Sequence, residues 1–226
     1  ARAAAVGARR VRLGAVAAPI AAQPRRSRAA VRAEFGVGPA TPLILSVGRL
    51  HPQKRYDLLV DAAARWRNRQ PAPTVIIAGS GPAYMYLAQR ASAARAPVTL
   101  LGHRSDVPDL LAGADLAVVT SDWEARQLFA QEALRAGVPL VATAVGGLPA
   151  LVGDAARLIP PDSVDALDVA VTELLTDDVR RADYAARGPL QAAQWPGEED
   201  TVADVLAAYA EVTAARPASD SRAGRG

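Results

Sequence analysis

From Pro42 onward, short apolar runs alternate with longer stretches in which apolar residues recur every three or four positions. The runs are Leu43–Val47, Thr74–Ala78, Val98–Leu101, Asp115–Val119, Pro139–Ala142 and Leu158–Ile159. They are apolar throughout rather than alternating, which predicts strands covered on both faces. The periodic stretches predict helices over Asp57–Trp66, Ala83–Ala94, Val107–Ala112, Ser163–Leu175, Asp178–Ala186 and Glu198–Ala214. One more helix is expected to start near Glu124 and to be stopped by Gly137 and Pro139. Gly146-Gly147-Leu148-Pro149 reads as a turn. Strands alternating with helices imply right-handed βαβ units and a parallel sheet. The fold class expected is α/β, a Rossmann-like doubly wound parallel sheet, with its site at the carboxyl ends of the strands.

Residues 1–40 are rich in Ala, Arg and Pro and read as a linker or the start of a domain, partly flexible. Within them, Val11–Val16 is a candidate edge strand and Arg28–Phe35 a candidate helix. Residues 41–214 form the main domain, and the Gly/Ser/Arg-rich tail, 215–226, is expected to be disordered. A first residue that is Ala and not Met points to a processed product or a fragment.

Composition narrows the chemistry. Half of the 226 residues are hydrophobic, enough for a sizeable core. There is no cysteine, so disulfides and thiolate metal sites are excluded, and two histidines argue against a His-rich metal site. No apolar run has the length of a membrane span. The pI is near 9.7, yet the formal charge is only +3. The first 32 residues hold eight arginines and no acid. These lack aromatic interleaving, which favours a solvated linker over a nucleic-acid arm.

Several residues gather at the expected ligand edge. Arg49 follows the first strand directly behind Gly48, and Lys54 opens the next helix. A guanidinium and an ammonium at a helix N-terminus suit a diphosphate; the ordinary alternative is two surface cations. Gly79-Ser80-Gly81 follows the second strand. Tyr84 stands where a dinucleotide fingerprint needs its third glycine, so a tight turn is the simpler reading. His103 follows a strand-ending glycine and reads as a loop residue. Asp115 reads as a turn or cap residue, Trp66 and Trp195 as packing residues. Trp123 lines a pocket or covers the helix start. Glu124 and Glu132 have seven residues between them. On one helix they share a side, about 12 Å apart along the axis. That spacing suits a long polyhydroxylated ligand better than a single reacting atom. Glu132 lies among apolar neighbours, and a buried carboxylate needs a partner.

At these residues the chain resembles the C-terminal, donor-binding half of retaining GT-B glycosyltransferases of family 4. The resemblance runs from about Pro42 to Leu175. It rests on Gly48-Arg49-Leu50 with Lys54, on Ile77-Ala78-Gly79-Ser80-Gly81-Pro82, on Glu124 and Glu132 followed by Gly137-Val138-Pro139, and on Gly146-Gly147-Leu148-Pro149 with Val152-Gly153-Asp154. It implies that Arg49 and Lys54 hold the diphosphate of a nucleotide sugar, with Glu124 on sugar hydroxyls and Glu132 on the ribose. Gly48, Gly79, Gly81, Arg126, Gln127 and Leu128 would line the site, and the His103-Arg104 loop would meet the base largely through backbone. It also implies no metal and no other cofactor, a cytoplasmic location, and an acceptor-binding N-terminal domain outside this chain. No nucleic acid and no transmembrane segment are expected; peripheral membrane contact is compatible with it.

Two features depart from the family. Ala125-Arg126-Gln127 stands where a small, an aromatic and a small residue are usual, and only one of the two GT-B domains is covered. Three other readings stay open: a sugar-nucleotide epimerase of related architecture, a non-catalytic nucleotide-binding or interaction module, and a nucleic-acid binder working through the basic arm.

Overall fold

The computed structural model describes Gly14 and residues 23–214. The chain divides into two compact units, residues 20–194 and residues 1–19 with 195–226. In the second unit the described part includes one long helix, Glu198–Ala214. The candidate strand at Val11–Val16 lies outside the described residues apart from Gly14, as does the tail after Ala214.

The larger unit is built on six strands, all parallel: β1 (Leu43–Val47), β2 (Thr74–Ala78), β3 (Val98–Gly102), β4 (Leu116–Val119), β5 (Leu140–Thr143) and β6 (Arg157–Ile159). Their spatial order is β3-β2-β1-β4-β5-β6. The chain therefore runs outward from β1 to β3, then crosses back to β4 on the other side of β1. The carboxyl ends of β1 and β4 flank the point where the order reverses, which is where doubly wound sheets open a crevice.

Helices cover both faces. Tyr56–Trp66 (α2), Tyr84–Ala94 (α3) and Val164–Thr176 (α7) pack together on one side. Their core takes every second strand residue, including Ile44, Val75, Ile77, Leu116, Val118 and Val141. The intervening residues, such as Leu43, Leu45, Ile76 and Ala117, are equally buried. Arg28–Glu34 (α1), Val107–Gly113 (α4), Leu128–Arg135 (α5), Leu148–Val152 (α6) and Asp178–Ala192 (α8) complete the described helices of this unit. Two-sided burial explains why the strand sequences are apolar without alternation.

Two helical segments here differ from the sequence expectation. Leu148–Val152 is a short helix, not only a turn. Asp178–Ala192 runs past Gly188 and through Pro189. Here packing overrides the local stop signal: a Cβ on Gly188 would lie 2.7 Å from the Leu134 carbonyl oxygen, so the bare glycine lets α8 lie directly on α5. The candidate helix at Arg28–Phe35 is present as Arg28–Glu34, and it is docked on the domain although the arginine-rich stretch around it was read as a solvated linker. Ser27 caps it through Ala30 N–H, and Arg32 is buried, donating to Asp115 at 2.9 Å and to the Gly113 carbonyl at 3.1 Å. Asp115 also accepts from Leu43 N–H at 2.7 Å, tying α1 to the start of β1.

Trp66 is fully buried at the end of α2 and donates its indole N–H to Asp168 of α7 at 2.7 Å. Trp66→Ala is expected to lower unfolding stability by about 3–5 kcal/mol, measured by urea denaturation followed by circular dichroism. An unchanged midpoint would show that α2 and α7 do not share one core.

Candidate active site

After β1 the chain makes a single 3-10 turn, Pro52–Lys54, capped by His51, whose Nδ1 accepts from Gln53 N–H. Arg55 then adopts a left-handed backbone, φ 49°, before α2 begins. This short turn aims the Lys54 ammonium at the loop after β4. Its Nζ lies 2.5 Å from Glu124 Oε1, with both side chains largely buried. The same oxygen accepts from Ser121 Oγ at 2.6 Å and weakly from Gln53 Nε2 at 3.4 Å. Among the described residues Oε2 accepts no hydrogen bond. Glu124 is thus a carboxylate with one oxygen held by the protein and one left over.

Glu124 is not on the helix with Glu132. The helix starts four residues later, at Leu128, with Gln127 as its cap; Gln127 Oε1 accepts from Ala130 N–H at 3.2 Å. The two acids do not form a stripe on one helix face. Ser121-x-x-Glu124 has the form of a capping box, which favours reading a helix start there. In the structure the serine hydroxyl is spent on the glutamate side chain instead.

The loops at the carboxyl edge are stitched to one another by backbone hydrogen bonds. Gly79 N–H donates to Gly102 O, Leu50 N–H to Ser80 O, Asp122 N–H to Gln53 O, and Gly147 N–H to Glu124 O, all at 2.7–2.9 Å. The sheet order thus continues beyond the strands through the loops after β3, β2, β1, β4 and β5. Two glycines make the approach possible. A Cβ on Gly79 would sit 1.9 Å from the Gly48 carbonyl oxygen, and one on Gly146 would sit 2.0 Å from that of Glu124. Both have positive φ. Side chains reinforce the stitching: Thr120 Oγ1 donates to Lys54 O and Thr143 Oγ1 to Ser121 O.

The remaining candidates are spread along this edge. Gly48 lies beneath Lys54, where a Cβ would meet the Tyr56 hydroxyl at 2.8 Å. Gly79 and Gly81 are used in the contact between loops, in keeping with a tight turn. Arg49 is exposed immediately behind β1. His103 is exposed at the end of β3, whereas the Arg104 guanidinium is turned away to Asp106 and Glu34. Arg126 is half-buried, and burial together with nearby Arg135 holds its pKa below the usual arginine value. Leu128 is exposed at the first turn of α5, where a helix start leaves N–H groups without intrahelical partners. Glu132 is half-buried, one turn farther on. Burial raises its pKa, opposed only in part by Arg135. Gln53 and Arg55 were not singled out by the sequence reading, and Ser121 and Asp122 were placed at the expected ligand edge without a role. Their role is to hold the β1 and β4 loops together, and polar loop residues carry no signature of that.

Among the described residues, no group of three or more His, Asp or Glu side chains is arranged to hold a metal ion, and no helix is long and apolar enough to cross a membrane.

A parallel sheet with its switch point between β1 and β4, and a cation and a carboxylate meeting there, define a Rossmann-like domain with a charged crevice. The chain matches the family described as Glycosyl transferases group 1 over residues 41–177, and it belongs to that family. It is 36% identical over 207 residues to a D-inositol 3-phosphate glycosyltransferase of Mycolicibacterium smegmatis, covering 87% of this chain and 45% of that protein. It is 32% identical to a GDP-mannose-dependent monoacylated alpha-(1-6)-phosphatidylinositol monomannoside mannosyltransferase of Corynebacterium glutamicum, covering 76% and 48%. Among solved structures it resembles Anabaena Alr3699/HepE in complex with UDP, with a TM-score of 0.73 and 25% identity over 81% of this chain and 52% of that one. The same protein in complex with UDP-glucose gives a TM-score of 0.72. The chain spans about half the length of each of these relatives.

The raised pKa of Glu132 has a pH signature. Between its ordinary value of 4.5 and its folded value, the folded protein binds more protons than the unfolded one, so stability falls as pH rises through that window. Glu132→Gln is therefore expected to raise the melting temperature at neutral pH, with the gain vanishing below the ordinary glutamate value. Melting curves from pH 4 to 8 test this; a gain independent of pH would contradict it.

Proposed function

We propose that this chain is the donor-binding half of a retaining glycosyltransferase that needs no metal and binds a nucleoside-diphosphate sugar in the crevice between β1 and β4. The observation that carries the reading is the Lys54–Glu124 pair, with one carboxylate oxygen held and the other left over. Lys54 has three ammonium protons and gives one to Glu124, leaving two for phosphate oxygens. Exposed Arg49, in the same loop after β1, would supply a second cation. Glu124 Oε2 is suited to accept from a sugar hydroxyl, and half-buried Glu132 from the two ribose hydroxyls, which would stabilise its charge. The relatives' own names support a nucleotide-linked donor: HepE is solved with UDP and UDP-glucose, and the corynebacterial enzyme is GDP-mannose-dependent.

In this reading the bond between the anomeric carbon and the diphosphate oxygen breaks, and its electron pair stays on the diphosphate. Negative charge grows there in the transition state, where Lys54 and Arg49 act most strongly. Their two positive charges fill the role a divalent ion would otherwise have. The glycosyl group passes to an acceptor oxygen with its anomeric configuration retained. The acceptor is held by an N-terminal domain that this chain does not include, and a cytoplasmic location goes with the reading.

Calorimetric titration with UDP, GDP and ADP tests it. One of the three is expected to bind saturably. Lys54→Ala and Glu132→Ala should each weaken that binding by about ten- to a hundredfold, the scale of losing a hydrogen bond to a charged group. No binding by any of them would overturn the donor-site reading.

A further inference from the structure

We infer that Arg55 is a positioning residue that sets the distance between Lys54 and Glu124 by latching the loops after β1, β4 and β6 to one guanidinium. The inference rests on the donor-site reading above. Arg55 contacts Asp57 at 3.2 Å, Asp122 at 2.9 Å and Asp162 at 2.6 Å. Asp57 lies in the first turn of α2, Asp122 two residues before Glu124, and Asp162 just before the cap of α7. The guanidinium therefore grips the chain one residue after Lys54 and two residues before Glu124. A planar fork with five donors is well suited to three carboxylates on different sides of it.

The backbone points the same way. Among the described residues, three non-glycine residues have positive φ: Arg55, Arg95 and Asp162. Two of these face each other in the latch. Strained backbone persists where the surroundings over-determine it, and such places cluster at functional sites. Ion pairs this close to the surface add little to global stability. What they fix is the relative placement of two loops. A cation must be held near its carboxylate partner and still be free to accept a diphosphate, which requires the loops, not the ion pair alone, to set the spacing.

Arg55→Gly separates positioning from folding, because glycine removes the latch while relaxing the left-handed backbone. The variant is expected to melt at the same temperature as the parent or higher. Its affinity for the nucleoside diphosphate that the parent binds should fall about tenfold. Affinity for the matching monophosphate should change less than threefold, since the diphosphate is what Lys54 reads. Arg55→Lys, a point charge without the fork, should recover only part of the loss. Full diphosphate affinity in Arg55→Gly, or equal losses for both nucleotides, would overturn the inference. Hydrogen exchange gives a readout independent of ligand. The Asp122 amide, bonded to Gln53 O, should exchange at least tenfold faster in Arg55→Gly while β1 and β4 amides are unchanged. If the parent binds no nucleotide, the donor-site reading fails and this exchange alone decides the latch; an unchanged Asp122 amide rejects it. If Arg55→Gly does not fold, Asp122→Asn takes its place, with the same directions expected and the same results rejecting it.

Discussion

The site depends on main chain lying against main chain at the carboxyl edge of the sheet. Where Gly79 meets the Gly48 carbonyl, and Gly146 the Glu124 carbonyl, there is no room for a single extra carbon. These contacts bring neighbouring loops close enough to hydrogen-bond through their backbones, so the loops inherit the order of the strands beneath. Loops are ordinarily the mobile part of an α/β domain. Here they are braced from β3 across to β5. A charged pair mounted on braced loops is already in place before a ligand arrives, which is the condition for electrostatic stabilisation of developing charge.

That bracing changes how the Lys54–Glu124 pair is to be understood. A largely buried ion pair contributes little net stability, because desolvation cancels much of the attraction. Its value lies in what it leaves unsatisfied. Among the described residues Glu124 keeps an oxygen without a donor and Lys54 keeps two protons, and Glu132 carries a charge that burial disfavours. Each costs the free protein something, and in the proposed reading a ligand rich in hydroxyls and phosphates would relieve it. Stability and binding pull in opposite directions at the same residues, as is common at functional sites. The left-handed backbone at Arg55 belongs with them, a local cost of about 1–2 kcal/mol tolerated where two loops must meet.

The sheet was legible in the sequence because strands buried on both faces advertise themselves as unbroken apolar runs, and all six appear within a residue or two of where they were expected. The fold class followed from their alternation with helices. The site was legible in its residue types but not in its local geometry. The helix was expected to start near Glu124, while the true cap is Gln127, a residue with little capping preference, so nothing local marked it. The continuation of α8 through Gly188 and Pro189 depends on contact with Leu134, more than fifty residues earlier, which no local pattern contains. The contribution of Arg55 was hidden for the same reason: its partners Asp122 and Asp162 are distant in sequence and resemble any other surface acids.

The departure at Ala125-Arg126-Gln127 acquires a specific meaning once the clamp is known. The loop is held through the carbonyls of Glu124 and Ala125, which lie against Gly146 and Gly147. Main-chain contacts of this kind do not depend on the side chain at 125, and Ala125 itself is exposed. Gln127 has its side chain occupied in capping α5. The fold therefore accommodates this sequence without loss of the clamp. What it alters is the segment just before the α5 cap, where Arg126 places a half-buried guanidinium near Arg135. Positive charge there disfavours cationic ligand groups and favours anionic ones. The contacts that hold this loop against its neighbour are thus set on the backbone, and the side chains at 125 and 126 vary without disturbing them.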